Sequence, residues 1–468
     1  MSDFEGLATG NQPEFVPHGN PIKRLGQHPI GFWFVFSGEL AERASYYGMR
    51  TLLALYLVDV LGFSEGGGTT VMKAFMAACY LTPFIGGWIA DRYLGRYKTI
   101  LYYSIPYIVG HLVLGAFQNQ TGLYIALALL AFGSGAIKPN TSVLMGQIYE
   151  AAGKNALLNE AFSLFYAAVN VGAFASSFAL PMLQSHYKDR PDHGYGPALM
   201  VPAALMAVAF AFFAAGKKFY PQEKIGGPKV VKTPEQRELE KKTLLRIAGV
   251  FIAIAIFWLI YDQNADTWIY FANHHTDLRM FPPTRITEHR SLSGIMTANQ
   301  MQAMNPLFII VLTPIFNWIW SAAKRMRGGR DVADTHKMLV GFIIVIATSA
   351  IMVAAAALAG ESTHVTIWWV ILATFVITLA ELCISPVGLE FAYKQAAPGT
   401  KGVVTAAFHL MVFIGDFIGL GLAPFYEKEL KPTAYFGILA VMMTFTSIAF
   451  VPIAQRFIRE EKARAATA

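Results

Sequence analysis

The sequence predicts an all-α integral membrane protein, with twelve transmembrane helices in two six-helix bundles. Three observations carry that prediction. The 468 residues are 55% apolar and only 14% charged, with a mean hydropathy of +0.44, whereas soluble domains average roughly 25% charged. Twelve apolar runs can be separated along the chain. One strongly polar stretch divides them six and six. At about 20 residues per span, twelve helices use roughly 240 residues plus tilt and short loops. No long polar stretch remains to fold as a catalytic domain, so an enzyme is not expected.

The runs lie near 31–58, 70–91, 98–118, 121–147, 157–184, 197–216, 244–272, 301–323, 336–359, 364–395, 401–425 and 434–457. They divide the chain into an N-terminal segment (1–30), a first bundle (31–216), a linker (217–246), a second bundle (247–457) and a tail (458–468). The linker carries nine Lys or Arg, from Lys217 to Arg246, with Pro221, Pro228 and Pro234. Its end reads as a charged helical lead-in to the seventh run. Basic residues collect on cytoplasmic loops. With both termini inside, the inner loops and tails hold about 26 Lys or Arg against about 7 outside, so both termini are expected in the cytoplasm. This bias also accounts for the net charge of +7 without a nucleic-acid partner.

Residues 1–30 lack a short apolar core with a small-residue cleavage site, and no cleaved signal peptide is expected. Cys79 and Cys383 both lie inside apolar runs, which points to neither a disulfide framework nor a metal site. The outer loop from Asn273 to Gln300 contains His274, His275 and His289 without regular ligand spacing, and reads as solvated.

Charge within a span costs roughly 2.5–3.5 kcal/mol on insertion scales, so such residues face a cavity and a partner. The first run carries Glu39, Glu42, Arg43, Tyr46, Tyr47 and Arg50. Their 3–4 spacing puts all six on one helical stripe, and that stripe must line water. The fourth run adds Lys138 before Pro139 and Asn140, with the first-run glutamates as expected partners. The seventh adds Asp262 and Asp266, the tenth Glu381, and the eleventh His409 and Asp416. Asp262 and Asp266 have a second reading as a helix end near the outer interface. His409 reads more readily as a hydrogen-bonded core histidine than as a proton relay. Asn170 and Asn305 either touch a ligand or satisfy backbone at a kink, and Tyr80 either lines a pocket or packs.

The loop between runs two and three contains Gly86, Gly87, Asp91, Arg92, Gly95, Arg96 and Lys98. It resembles the G-x-x-x-D-R-x-G-R-[RK] signature of the major facilitator superfamily, with one residue inserted before Gly95. Glu39-Leu-Ala-Glu42-Arg43-Ala44-Ser45-Tyr46-Tyr47-Gly48 resembles the E-x-x-E-R-F-x-Y-Y-G signature of the proton-dependent oligopeptide transporters within that superfamily. The stretch from Phe165 to Gly172, the Lys-Pro-Asn at 138–140, the Asn-Pro-Leu-Phe-Ile-Ile at 305–310 and the stretch from Glu381 to Leu389 also match that family's patterns. The likeness covers essentially all of residues 31–457.

The resemblance implies proton-coupled symport of di- and tripeptides by alternating access, driven by the proton gradient without a cofactor. It implies that Glu39, Glu42, Arg43 and Lys138 take part in proton coupling, and that Arg43 and Lys138 receive the peptide carboxylate. By the same likeness Glu381, with Asn170 and Asn305, holds the amino terminus. Tyr47, Tyr80 and Phe408 line the pocket, while Arg50 pairs with Asp262 across the bundles. Gly87, Asp91, Arg92, Gly95 and Arg96 form the cytoplasmic loop motif. Ala44 departs from the signature's Phe, Phe408 from the family's usual Trp, Asp262 from its common Glu and Asp416 from an expected Asn. The linker is too short for two extra helices, and only Gly360 to His364 joins runs nine and ten. Both imply a compact bacterial transporter, multi-pass in the cytoplasmic (inner) membrane. Its expected partners are peptides, protons and lipid, and a monomer is expected. Other readings keep the fold but carry nitrate, another anion or a drug, or make the protein a non-transporting receptor. Glu381 weighs against a small anion, and buried charge in both halves weighs against a receptor. No P-loop sequence suggests ATP-driven transport.

Overall fold

A computed structural model describes residues 15–221, 223, 233–279, 296–360, 364–396 and 401–467. Twelve helices longer than 20 residues account for most of it: α1 (Ile30–Asp59), α2 (Glu65–Ile89), α3 (Arg96–Ala116), α4 (Gln120–Ala151), α5 (Leu158–His186), α6 (Tyr195–Ala215), α7 (Pro234–Tyr261), α8 (Met304–Met326), α9 (Asp334–Leu358), α10 (Trp368–Gln395), α11 (Lys401–Leu422) and α12 (Pro432–Thr467). Among the described residues, ten stretches are long and apolar enough to cross a membrane. The two long helices outside that set are α1 and α2. They hold Glu39, Glu42, Arg43, Arg50 and Lys73, charges that face the bundle interior and pair with opposite charges there.

Packing repeats with a shift of six helices. In the first bundle α1 packs on α5 and α6, and α4 on α2 and α3, with α3 also on α6. The second bundle repeats this as α7 on α11 and α12, α10 on α8 and α9, and α9 on α12. The bundles meet through α2 against α11 and α5 against α8, which are themselves related by the same shift. This is the parallel repeat of the major facilitator superfamily fold, two halves related by an axis along the membrane normal.

The seventh run is broken. Helix α7 begins at a Thr233 N-cap with a capping box and Pro234 in its first turn, and it ends at Tyr261. A 3-10 turn follows (Asp262–Ala265), then a short helix (Thr267–His275) capped by the Asp266 side chain. A two-residue parallel pairing of Thr276–Asp277 with Val365–Thr366 ties that short helix to the start of α10. Of the expected outer loop, residues 280–295, including His289, fall outside the described residues.

Between α2 and α3 the chain makes a π turn (Ala90–Leu94) and reverses at Gly95, whose φ of +76° suits glycine. Arg96 rather than Arg92 locks this corner. Its guanidinium pairs with Asp91 and donates to Asn140 Oδ1 at 2.8 Å, and its backbone N–H donates to Glu223. Arg92 is exposed beside the Tyr93 ring. The two glycines before the turn also differ. A Cβ on Gly86 would overlap the backbone of Ala136 in α4, whereas one on Gly87 meets nothing within 4 Å. Gly86→Val is therefore expected to cost about 1–3 kcal/mol of overpacking, with Gly87→Val close to neutral. Unfolding midpoints of the two variants in detergent test this, and equal midpoints would contradict it.

Candidate functional site

Helix α1 presents its charged stripe to the interior as the spacing predicts. Glu39, Glu42 and Arg43 are all at most 3% exposed. Arg43 Nη2 donates to Glu42 Oε1 at 2.6 Å, its Nε donates to Glu42 Oε2, and Nε lies 3.4 Å from Glu39 Oε1. The guanidinium thus holds both glutamates, and its face lies 5.3 Å from the Tyr46 ring centre. Sequence reasoning expects those glutamates to serve Lys138, and the structure corrects that. A guanidinium on the same helix is closer and matches a carboxylate with two parallel donors.

Lys138 makes no ion pair among the described residues. Its Nζ stands 4.6 Å from the centre of the Tyr80 ring, deep among the helices yet open to solvent. Pro139 follows it and cannot donate to the carbonyl of Gly135, which loosens α4 at the lysine. His409 on α11 is also deep and solvent-accessible, within electrostatic reach of Lys138. It is not the core histidine that sequence reasoning favours. These exposed polar groups mark an interior cavity. Helices α4 and α10, which carry Lys138 and Glu381, have no extensive packing against each other.

On the second bundle, Glu381 Oε2 accepts from Tyr261 Oη and from Asn305 Nδ2, both at 2.9 Å. Asn305 Nδ2 also lies 3.0 Å from Thr378 Oγ1. Glu381 Oε1 makes no hydrogen bond among the described residues, so this carboxylate is oriented by two donors and has one oxygen to spare. Asn170 donates to the backbone oxygen of Tyr166 at 2.9 Å, the kink-satisfying alternative. Tyr47 and Tyr80 are half-buried and Tyr166 is exposed, all three in the region of Glu381 or Lys138. Phe408 is 3% exposed, packed on Gly388 and edge-on to Phe251 with ring centres 6.2 Å apart. It backs the cavity wall.

The opposite end of the cavity is shut. Arg50 Nη2 reaches Asp262 Oδ1 at 3.2 Å, so the shorter aspartate side chain suffices. Tyr270 Oη donates to Ala54 O at 3.0 Å, Gln302 Nε2 to Thr51 O at 3.3 Å, and Gln300 Nε2 to Phe178 O at 3.2 Å. Lys73 of α2 sits 3.5 Å from both Asp266 and Asp416. Among the described residues, every ion pair between the bundles lies at this end, away from the chain termini, including Glu65 with His274 at 3.4 Å. Asp262 and Asp266 do lie at helix ends, closing α7 and capping the short helix, and Asp266 is fully buried there. Sequence reasoning missed Lys73, Tyr166 and Tyr261. The available signal for Lys73 was a lysine in an apolar helix, masked by the Gly- and Thr-rich turn before it.

The sequence profile of the POT family matches residues 97–236 and 229–442, more than half of the chain. The chain belongs to the POT family. This POT-family protein is 30% identical to rat solute carrier family 15 member 2 over 378 residues, 71% of this chain and 50% of the relative. It thus spans about half the length of the animal relatives it matches. It is 26% identical to the uncharacterized transporter YclF of Bacillus subtilis (strain 168) over 477 residues, covering 90% of this chain and 93% of the relative. Among solved structures, the POT family transporter PepTSo superposes with a TM-score of 0.76 at 26% identity, covering 94% of this chain and 99% of the other. The family and its neighbours are transporters rather than enzymes.

Proposed function

We propose that this POT-family member is a proton-coupled symporter that imports di- and tripeptides across a bacterial cytoplasmic membrane by alternating access. One observation carries the reading: the cavity has free cationic charge on the first bundle, at Lys138, and an oriented carboxylate on the second, at Glu381. A zwitterionic peptide carries opposite charges several ångströms apart and satisfies both ends at once. By bridging the bundles it gains differential affinity for the closed state, which is what moves a two-state equilibrium. Arg43 is occupied by Glu39 and Glu42, so a proton on either glutamate weakens that hold and frees the guanidinium for the peptide carboxylate. With the termini inside, the cavity opens to the cytoplasm and the Arg50–Asp262 pair closes the outer side. No cofactor is required, and a monomer suffices.

Uptake of labelled dialanine into proteoliposomes, with and without an inward proton gradient, tests the proposal. Accumulation only with the gradient is the expected result, and no uptake under either condition overturns it. Lys138→Ala should weaken apparent peptide affinity at least tenfold, which needs only about 1.4 kcal/mol, and Lys138→Arg should retain part of it. Undiminished affinity in Lys138→Ala would remove the lysine from the carboxylate end.

A further inference from the structure

We propose that Asp416 binds a proton of its own when the outer end closes, at a site separate from the glutamates of α1. The site is the meeting of Lys73 on the first bundle with Asp266 and Asp416 on the second. All three are fully buried, and the single ammonium is 3.5 Å from both carboxylates. The neighbouring pair, Arg50 with Asp262, is already matched one to one. Among the described residues, three carboxylates therefore face two cations, all buried from solvent save the partly buried Arg50. Like charges sharing a buried site cannot all stay ionised, and one takes a proton.

Hydrogen bonding selects which one. Asp262 accepts from Arg50. Asp266 accepts from the backbone N–H of Thr267 at 2.6 Å and caps the helix that follows, contacts that favour an ionised carboxylate. Among the described residues, neither oxygen of Asp416 receives a hydrogen bond. Of the other polar groups within its electrostatic reach, Tyr80, on the helix of Lys73, is neutral, and Arg50 is held by Asp262. Glu381 on α10 is engaged by Tyr261 and Asn305. The backbone holds Asp416 in place. Gly415 lets α11 approach Ala255 O and Leu259 N of α7, and Gly419, one turn on, leaves room for the methylene stem of Lys73.

Because Lys73 belongs to one bundle and the aspartates to the other, separating the outer ends hydrates both and lets Asp416 ionise. Closing them returns the proton. Acidity on the outer side therefore drives outer closure, whatever the cargo. The inference deepens the proton-coupled reading but concerns a group that reading does not use.

The test needs no peptide. With Cys79→Ser and Cys383→Ser as background, spin labels at Lys188→Cys and Lys428→Cys, on outer loops of the two bundles, report the gap in reconstituted protein. The closed fraction should rise as pH falls from 8 to 5. Asp416→Asn should stay closed across that range. An infrared pH titration of the wild type should show, among its protonated carboxyl bands, one that is absent in Asp416→Asn. Should that variant not fold, the wild-type band and the Asp266→Asn variant, which should also remain closed, still decide. A pH-independent gap in the wild type, or a wild-type profile in Asp416→Asn, overturns the proposal while leaving gradient-driven uptake to be judged on its own. Loss of uptake with an intact gap profile would instead sink the transport reading alone.

Discussion

Glu42→Gln is expected to abolish concentrative uptake while leaving peptide exchange partly intact. One proton moved with each neutral peptide carries one charge. A membrane potential of 100 mV is worth about 2.3 kcal/mol per charge, which supports roughly fortyfold accumulation. Glu42 holds Arg43 through two donors and is fully buried, so the carboxylate and the guanidinium neutralise each other. The amide resembles the protonated acid in shape and charge but cannot release a proton, so the accumulation ratio should fall to one. Counterflow of labelled against unlabelled dialanine needs no net proton movement and should survive. Glu39→Gln removes the weaker partner, 3.4 Å from Arg43, and should behave alike. Wild-type accumulation in both variants would show that the carboxylates of α1 do not couple.

That prediction rests on the part of the molecule most legible in the sequence. Residues 39 to 50 on α1 repeat at helical spacing, so their shared face follows from the geometry of a single helix. The twelve spans follow as directly, since hydrocarbon selects long apolar runs. Partner choice was less legible. Lys138 and the first-run glutamates are reasonable partners by charge alone, but Arg43 sits on the same helix and needs no tertiary arrangement to reach them. The outer cluster was illegible for a different reason. Lys73, Asp266 and Asp416 are far apart in the chain, and Asp266 lies in a break where helical periodicity gives no guidance. Only the folded bundles bring them within 3.5 Å of one ammonium. The Tyr261 contact to Glu381 was hidden likewise, because the break at Asp262 fixes which way the end of α7 points.

Glu381→Gln should weaken dipeptide binding by more than tenfold, and the loss should depend on a free peptide amino group. An ammonium about 4 Å from a carboxylate gains roughly 4 kcal/mol at an effective dielectric near 20, before desolvation. Tenfold requires only about 1.4 kcal/mol of that to survive. Tyr261 and Asn305 both donate to Oε2, so the glutamine's own oxygen can keep those two bonds and the side chain its position. What disappears is the negative charge beside the unengaged Oε1. N-acetylation of dialanine removes the positive charge from the other side of the same contact. It should therefore weaken binding to the wild type, yet add little further loss in Glu381→Gln. A double cycle of free and acetylated dialanine on both proteins, read by competition for binding, measures the coupling between the two groups. If the two losses simply add, Glu381 does not read the amino terminus. The two-ended electrostatic match that favours peptides over other cargo would then lose its anionic half.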